Sequence, residues 1–390
     1  MKVLGMVLEL NPFHNGHKYF IDTAKEKINP NLTIAIISGN FSMRGEPMVI
    51  DKWERAKIAL NYGIDIVIEL PFLSSVNGAD YFAYNAIKSL TGFKITDLAF
   101  GVELDNLTTL LKIKDILNSD IYNNTIKEFL SKGLSYPTSS FRAIGEITKD
   151  KEIIDNCTLP NNTLAISYLQ ALDKLNYEVN PVLIKRVGNE YYDEDVTGKI
   201  SSATALRNLL MKGEDITNYT PEVNYQYLNP VISDNNLLLI LRYLFNINDI
   251  DYFKDIFGVS EGIENRINSF INKVSTYEEL IKHIQTKRYS KNRIKRLLLH
   301  IILNVSKEYE NKYHSYLRIL AMNQKGINYI NTLDKEVKEK IVTSFKNEDN
   351  YLINLELKAS KLYGVINEKP MIFLQEFKVP YIEGEEKNDD

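Results

Sequence analysis

The first hundred residues alternate between short apolar runs and longer segments whose apolar residues recur at helical spacing. The apolar runs have the length of buried strands and cover residues 3–10, 33–37, 65–70 and 97–102. Helical spacing covers residues 17–27, 52–62 and 80–90. Strands that alternate with helices predict an α/β fold with a parallel sheet. Such sheets bind ligands at the carboxyl ends of their strands, so the loops there are where we expect the functional residues.

The α/β pattern continues to about residue 215, and a different pattern follows. Residues 104–149 are mainly helical, 161–175 form a helix, 181–187 a strand, and 201–212 a helix that begins with serine. From Asn235 onward the spacing is helical, without strand alternation. We therefore predict an α/β domain over 1–215, an all-helical domain over 216–383 and a polar, acidic, disordered tail over 384–390.

Composition narrows the class of protein only a little. The hydrophobic fraction of 44% and the charged fraction of 25% are ordinary for a globular protein. A single cysteine, Cys157, excludes an internal disulfide and a thiolate zinc site and is typical of a cytoplasmic protein. No apolar run is long enough to span a bilayer, so we expect no membrane partner. The net charge of −4 does not exclude nucleic acid, because a basic face can coexist with an acidic total.

Two of the five histidines stand close together in the loop after the first predicted strand, Asn11-Pro-Phe-His-Asn-Gly-His17. His14 and His17 are three positions apart at a helix start, which puts both rings on about the same side. Free backbone N–H groups and the helix dipole favour phosphate there, and Gly16 lets a nucleotide approach closely. Two imidazoles can donate to the charge that builds on an α-phosphate under attack. The alternatives are two ordinary histidines, or a metal site, for which the sequence shows no further ligand nearby.

A second phosphate site is indicated by Ile200-Ser-Ser-Ala-Thr-Ala-Leu-Arg207. Ser201, Ser202 and Thr204 cluster at a predicted helix start, with Arg207 one turn further on. Hydroxyl groups, free N–H groups and a guanidinium together suit phosphate. The alternative is an ordinary Ser/Thr helix cap with a solvated arginine.

A basic run in the second half indicates RNA contact. Residues 287–296 hold six basic side chains within ten positions, with one tyrosine among them. On a helix they would form a positive stripe for a phosphate backbone, and the aromatic ring could stack on an unpaired base. A solvated helix face is the alternative. The candidate RNA-binding residues are Lys287, Arg288, Tyr289, Lys291, Arg293, Lys295 and Arg296.

The two phosphate motifs, in this order, resemble those of the nucleotidylyltransferase superfamily, with its HIGH-type and ISSTxxR-type motifs. Further segments along most of the chain resemble the bacterial tRNA-Met cytidine acetate ligase family. These segments are Ser38-Gly-Asn-Phe41, Arg44-Gly-Glu-Pro47, Asp51-Lys-Trp-Glu-Arg-Ala56, Glu69-Leu-Pro-Phe72, Pro160-Asn-Asn162, Ile184-Lys-Arg186, Ser260-Glu-Gly-Ile-Glu-Asn-Arg266 and Thr286-Lys-Arg-Tyr289. One departure is Leu8-Glu9-Leu10, where relatives tend to have Ala-Glu-Tyr. The resemblance implies a Rossmann-like nucleotidylyltransferase domain followed by a tRNA-binding helical domain.

The resemblance also implies an activity and a set of contacts. The family uses ATP to activate acetate as acetyl-adenylate and places the acetyl group on N4 of the wobble cytidine of elongator tRNA-Met. The residues expected to act in catalysis are His14, His17, Ser202, Thr204 and Arg207. The residues expected to contact ATP are Val7, Glu9, Asn11, Pro12, Phe13, Asn15, Gly16, Lys18, Phe20, Gly101, Asn162, Arg186 and Ser201.

The chemistry of the first step constrains what the site must supply. Acetate is already an anionic nucleophile, so activation needs positioning and charge stabilisation and no general base. Lys52 and Arg55, on the helix after the second strand, are candidates for binding pyrophosphate, with a solvated helix face as the alternative. Mg²⁺ is expected to accompany the ATP phosphates, although no dedicated metal cage is visible in the sequence. Two other functions stay open: a small-molecule nucleotidylyltransferase, and a non-catalytic nucleotide- or RNA-binding protein.

Overall fold

The computed structural model describes residues 1–187, 201–221, 234–310, 312, 316–346 and 350–384, and the residues named below lie within these ranges. The strands are β1 (Val3–Leu8), β2 (Leu32–Ser38), β3 (Ile66–Leu70), β4 (Asp97–Val102), β5 (Asn180–Lys185), β6 (Leu317–Met322), β7 (Ile341–Val342) and β8 (Tyr381–Ile382). The helices of the first half are α1 (Asn15–Ile28), α2 (Lys52–Asn61), α3 (Phe72–Ser75), α4 (Ala79–Gly92), α5 (Leu107–Asn118), α6 (Asp120–Ser131), α7 (Tyr136–Ile147), α8 (Lys151–Asn156), α9 (Pro160–Leu175) and α10 (Ala203–Met211). Those of the second half are α11 (Asp234–Ile247), α12 (Ile263–Ile271), α13 (Tyr277–Ile284), α14 (Lys291–Leu303), α15 (Gln324–Thr332), α16 (Lys335–Lys340) and α17 (Tyr351–Ile366).

The sheet has the strand order β5-β4-β1-β2-β3-β6-β7, with β8 paired to β6. Strands β1 to β5 run parallel, and α-helices cover both faces of the sheet, so the predicted α/β fold is confirmed. The chain moves from β1 through β2 to β3 on one side and then returns to β4 on the other side of β1. The strand order therefore reverses between β1 and β4, which is where an open sheet of this kind binds its ligand.

The second half is not all-helical as predicted, because one of its segments joins the sheet. Strand β6 pairs antiparallel with β3, placing Met322 opposite Ile66, and β7 and β8 add to it. The segment 317–322 is apolar apart from Arg318 and largely buried, and periodicity alone cannot distinguish such a short run from a buried helix. Residues 385–390 of the predicted tail lie outside the described part of the chain.

The helices of the second half form their own apolar core against the loops of the first. Helices α11 to α14 and α17 share this core with Phe41, which follows β2, and with Phe72, which begins α3. A separate core fills each face of the sheet. The second half is thus seated at the carboxyl ends of β2 and β3, beside the region where a ligand is expected.

A buried ionic cluster joins the two halves below this seat. The Lys52 ammonium lies 2.6 Å from a carboxylate oxygen of Glu69 and 2.6 Å from one of Glu376, and the Arg318 guanidinium lies 3.7 Å from the other oxygen of Glu376. Glu356 accepts a hydrogen bond from the backbone N–H of Phe72. Burial, together with the charge of Glu69, raises the pKa of Glu356 well above its usual range. The neutral form of Glu356 is therefore favoured, which reduces the negative charge that the two cations have to balance.

This cluster overturns the prediction that Lys52 binds pyrophosphate. The Lys52 side chain is 1% exposed, and both of its ion-pair partners are internal carboxylates. Arg55 is fully buried and donates to the backbone carbonyls of Ile50, Glu9 and Ser38 at 2.9–3.0 Å. Both cations therefore belong to the scaffold and not to a solvated or ligand-binding face.

We expect Lys52→Met to lower the free energy of unfolding by about 3 to 5 kcal/mol, because two buried carboxylates would lose their shared cation. Urea denaturation followed by circular dichroism measures this loss. Lys94→Gln, which breaks the exposed ion pair with Asp334, is the matched control and should change stability little. Equal stability of the two variants would show that the cluster does not hold the halves together.

Candidate active site

The start of helix α1 is capped by the two histidines of the first motif. The backbone N–H of Gly16 donates to Nδ1 of His14 at 3.0 Å, and the backbone N–H of His14 donates to Nδ1 of His17 at 3.3 Å. This is a reciprocal capping box built from imidazoles in place of the usual Ser/Thr and Glu. Because both Nδ1 atoms accept, each neutral ring carries its proton on Nε2. The helix cap therefore sets the tautomer of both rings and leaves Nε2–H as the donor available to a ligand.

The same rings are uncharged in the folded protein. Burial, with Arg186 and Arg207 adding to it, lowers the pKa of His14 to about 3. Burial and the neighbouring His14 lower the pKa of His17 well below its usual value. The ring centroids are 3.9 Å apart. The pair therefore offers two neutral donors side by side at neutral pH.

The second motif meets the first one directly. Ser202 caps α10 by accepting from the backbone N–H of Ala205 at 3.1 Å. Arg207, one turn into the helix, donates to the backbone carbonyl of Asn11 at 2.9 Å and to Oγ1 of Thr204 at 3.2 Å. This guanidinium therefore connects the start of α10 with the histidine loop.

A cavity of about 240 Å³ lies between the two motifs, at the carboxyl ends of β1, β4 and β5. The predicted site residues that line it come from both motifs and from the strand ends. They are Val7, Glu9, Asn11, His14, Gly16, His17, Phe20, Gly101, Arg186, Ser201, Ser202, Thr204 and Arg207. The structure thus brings most of the predicted site together at the point where the strand order reverses.

Several expected ATP contacts lie outside this lining. Phe13 is buried and packs between His17 and Tyr62. Lys18 forms an exposed ion pair with Asp22. Asn162 accepts from the backbone N–H groups of Glu103 and Leu104, so it supports the β4 loop from behind. Pro12 and Asn15 are also absent from the lining, and Lys52 is in the buried cluster.

Sequence reasoning missed part of the cavity wall. Phe82, Phe100, Leu164 and Tyr168 form an apolar side of it, contributed by α4, β4 and α9. In the sequence these residues cannot be distinguished from ordinary core residues of a strand end and two helices. Arg44 also lines the cavity, and its only signal was the family segment Arg44-Gly-Glu-Pro47.

The basic run of the second half divides into exposed and inward-facing residues. Lys287, Arg288, Lys291 and Arg293 are exposed, although Arg288 pairs with Glu261 and Lys291 with Glu278. Only residues from Lys291 onward lie on helix α14, since residues 287–289 form a bend before it.

The other three members of the run face inward. The side chain of Tyr289 is buried, and its hydroxyl donates to the carbonyl of Ser260 at 2.9 Å. This position corrects the prediction of a stacking tyrosine. Lys295 pairs with Glu46 at 2.6 Å, and Arg296 donates to the carbonyl of Met43 at 3.0 Å. Lys295 is buried and Arg296 half-buried against the α/β half, so they do not extend a solvated positive stripe.

The fold and the paired-histidine cavity define a nucleotidyl transferase, and the model of the HIGH Nucleotidyl Transferase family matches residues 1–376. The tRNA(Met) cytidine acetate ligase of Thermoanaerobacter sp. (strain X514) is 35% identical, over 93% of this chain and 94% of its own length. That of Oceanobacillus iheyensis is 34% identical, over 98% of this chain and 100% of its own. The chain belongs to the tRNA(Met) cytidine acetate ligase family.

Solved structures agree with this assignment. Thermotoga maritima TmcAL without ligand superposes with a TM-score of 0.88 at 32% identity, covering 98% of this chain and 99% of that one. The same protein bound with alpha-thio ATP gives a TM-score of 0.84 at 30% identity, with the same coverage. Within the described residues, no helix of this chain is long and apolar enough to cross a membrane.

We expect acid to destabilise the protein through its buried histidines. The folded-state pKa of His14 is about 3 and that of buried His300 about 4, below the unfolded value of 6.5, so the unfolded state binds more protons. The contribution of each histidine to the free energy of unfolding is fully present above pH 6.5 and is lost as the pH drops towards the folded-state pKa. Each such histidine should cost about 2 kcal/mol at pH 5.

Urea titrations at pH 7.5 and pH 5 measure this dependence. His14→Asn keeps a side chain that can cap the helix and should flatten the pH dependence. An unchanged slope in His14→Asn would contradict the buried, neutral state of this ring.

Proposed function

We propose that this chain uses ATP to activate acetate and transfers the acetyl group to N4 of the wobble cytidine of elongator tRNA-Met. The observation that carries the proposal is one cavity lined by two neutral Nε2–H donors, the start of α10 and Arg207. The names of the relatives and the alpha-thio ATP bound to the Thermotoga protein support it.

The cavity suggests how ATP would lie. The apolar side formed by Phe100, Leu164 and Tyr168 suits an adenine ring. The α-phosphate would then lie over the histidines, because the histidine loop follows β1 and β1 is the neighbour of β4 in the sheet. Pyrophosphate would leave towards Thr204 and Arg207 at the start of α10.

In the activation step, an acetate oxygen would bond to the α-phosphorus while the bond to pyrophosphate breaks. Acetate needs no deprotonation, so the site has to hold the reactants together and stabilise the charge on the phosphoryl oxygens. His14 and His17 are suited to this second task as neutral donors whose orientation is fixed by the helix cap.

In the transfer step, N4 of cytidine would attack the acetyl carbon and release AMP. The N4 proton leaves as the amide bond forms, and the mixed anhydride is reactive enough for water or the departing phosphate to accept it. We assign no protein base to this step. The exposed cations Lys287, Arg288, Lys291 and Arg293 are proposed to contact the RNA backbone.

We also propose that Mg²⁺ accompanies the ATP phosphates. In the described part of the chain, no group of three or more His, Cys, Asp or Glu side chains is arranged to hold a metal ion. The described residues thus offer no such set of metal ligands, and the proposed ion would be bound by the nucleotide phosphates.

The function is tested with ATP, labelled acetate and total tRNA. We expect acetate-dependent exchange of pyrophosphate into ATP, and N4-acetylcytidine as the labelled nucleoside in the tRNA fraction after digestion. Exchange that ignores acetate, or label on another nucleoside, would contradict the proposal.

The role of the histidines is tested by His14→Ala and His17→Ala. Each change removes one donor to the phosphoryl oxygens, so exchange should fall by roughly a hundredfold or more. His283→Ala, which removes an exposed histidine of the second half, is the matched control and should exchange at the wild-type rate. Full activity in both loop variants would exclude the mechanism.

A further inference from the structure

Residues 42–46 form a tight loop between the cavity and helix α14, and we call it the 42–46 loop. Its ends are held together by the hydrogen bond from the backbone N–H of Ser42 to the carbonyl of Glu46, at 2.8 Å. Gly45 donates back to the carbonyl of Ser42 at 2.9 Å, and Phe41 and Pro47 form a β-bridge at the base. These bonds give the loop a defined shape.

One side of the 42–46 loop belongs to the cavity. Met43 and Arg44 line it, and the Arg44 guanidinium donates to Oγ1 of Thr204 at 3.2 Å. The backbone N–H of Met43 donates to a carboxylate oxygen of Glu9 at 3.2 Å. The loop thus contacts both the histidine segment and the start of α10.

The other side of the loop is clamped onto α14. Lys295 lies 2.6 Å from Glu46, with its side chain only 7% exposed, and Arg296 donates to the carbonyl of Met43 at 3.0 Å. Gly45 has φ of +77°, and a Cβ there would stand 2.4 Å from the backbone nitrogen of Arg296. Only glycine allows this approach, so the loop and the helix fit without free space.

The clamp matters because activation brings two anions together. Acetate must approach the α-phosphate of ATP, and cations in the cavity wall reduce the repulsion between them. Arg44 is one of these cations, on a loop that has no strand or helix of its own to hold it. A displacement of about 1 Å in such a group costs up to roughly a hundredfold in rate.

We propose that Lys295 and Arg296 are positioning residues for the activation step, a role that rests on the proposed function. They hold the 42–46 loop against α14 and thereby keep Arg44 in the cavity wall beside Thr204. Helix α14 therefore serves both halves of the reaction. Its inward cations support activation of the acid, and its exposed cations are left for RNA.

The test is acetate-dependent exchange of pyrophosphate into ATP, in the absence of tRNA. We expect Lys295→Met to lower kcat by about tenfold or more, with the KM for ATP within about threefold of wild type. We expect Arg44→Ala to lose at least as much activity. Adding Lys295→Met to Arg44→Ala should cause no further loss, because Lys295 acts through Arg44.

Controls separate positioning from folding. Binding of α,β-methylene ATP and the melting temperature should stay near wild type in Lys295→Met. Glu46→Gln removes the same ion pair from its more exposed side and should give the same loss of exchange. It replaces Lys295→Met as the test variant if Lys295→Met folds poorly. Lys254→Gln, which breaks the exposed pair with Asp251, should exchange normally.

Two results would overturn the inference. One is full exchange in both Lys295→Met and Glu46→Gln. The other is that Lys295→Met lowers the exchange rate by the same factor in wild-type protein and in Arg44→Ala. The failure of the proposed function is recognised separately, since wild-type protein would then show no acetate-dependent exchange at all.

Discussion

The buried ionic cluster around Lys52 is the interaction on which the rest of this structure depends. Taking its charges out of water is costly, and the cost is recovered only when all partners meet in one arrangement. Lys52 and Glu69 belong to the sheet domain, whereas Arg318, Glu356 and Glu376 come from the second half. The cluster therefore forms only when the second half has returned to the free edge of β3. One seating of the two halves is favoured over others that would bury the same apolar surface.

That seating fixes the loops from which the cavity is built. A Cβ on Gly39 would stand 2.7 Å from a carboxylate oxygen of Glu69, so the backbone after β2 passes directly over the cluster. One turn along α2 from Lys52, Arg55 donates to the carbonyls of Glu9 and Ser38, at the ends of β1 and β2. Arg207 donates to the backbone carbonyl of Asn11, two residues further along the same loop. The histidine loop is thus held through its backbone oxygens by the guanidinium groups of Arg55 and Arg207, which leaves the rings of His14 and His17 to the cavity.

The parts of the fold and site that could be predicted are those determined by local sequence. The parallel strands could be predicted from the apolar runs. The pairing of His14 and His17 could be predicted because residues three positions apart at a helix start lie on the same side. The rest depends on distant partners. A lysine on an amphipathic helix is ordinarily solvated, and no residue near Lys52 in the sequence indicates that Glu376 will be its partner. The run 317–322 is a strand only because β3 offers it an open edge. In the sequence, Lys295 and Arg296 look like RNA-binding residues. Only the structure shows that their partners are Glu46 and the carbonyl of Met43.

The division between neutral and charged donors gives the cavity its chemical character. Buried histidines with lowered pKa values cost less to desolvate than imidazolium ions would, yet they still donate to a developing charge. Arginines carry the permanent charge: Arg44 and Arg207 bond to Thr204, and Arg186 lines the cavity from the end of β5. A bound polyphosphate would raise the pKa of His14, and by linkage a higher histidine pKa means tighter phosphate binding at low pH. An added proton would have to enter at Nδ1, where each ring accepts a backbone N–H of the helix cap, so the cap opposes protonation and favours the neutral Nε2–H donors.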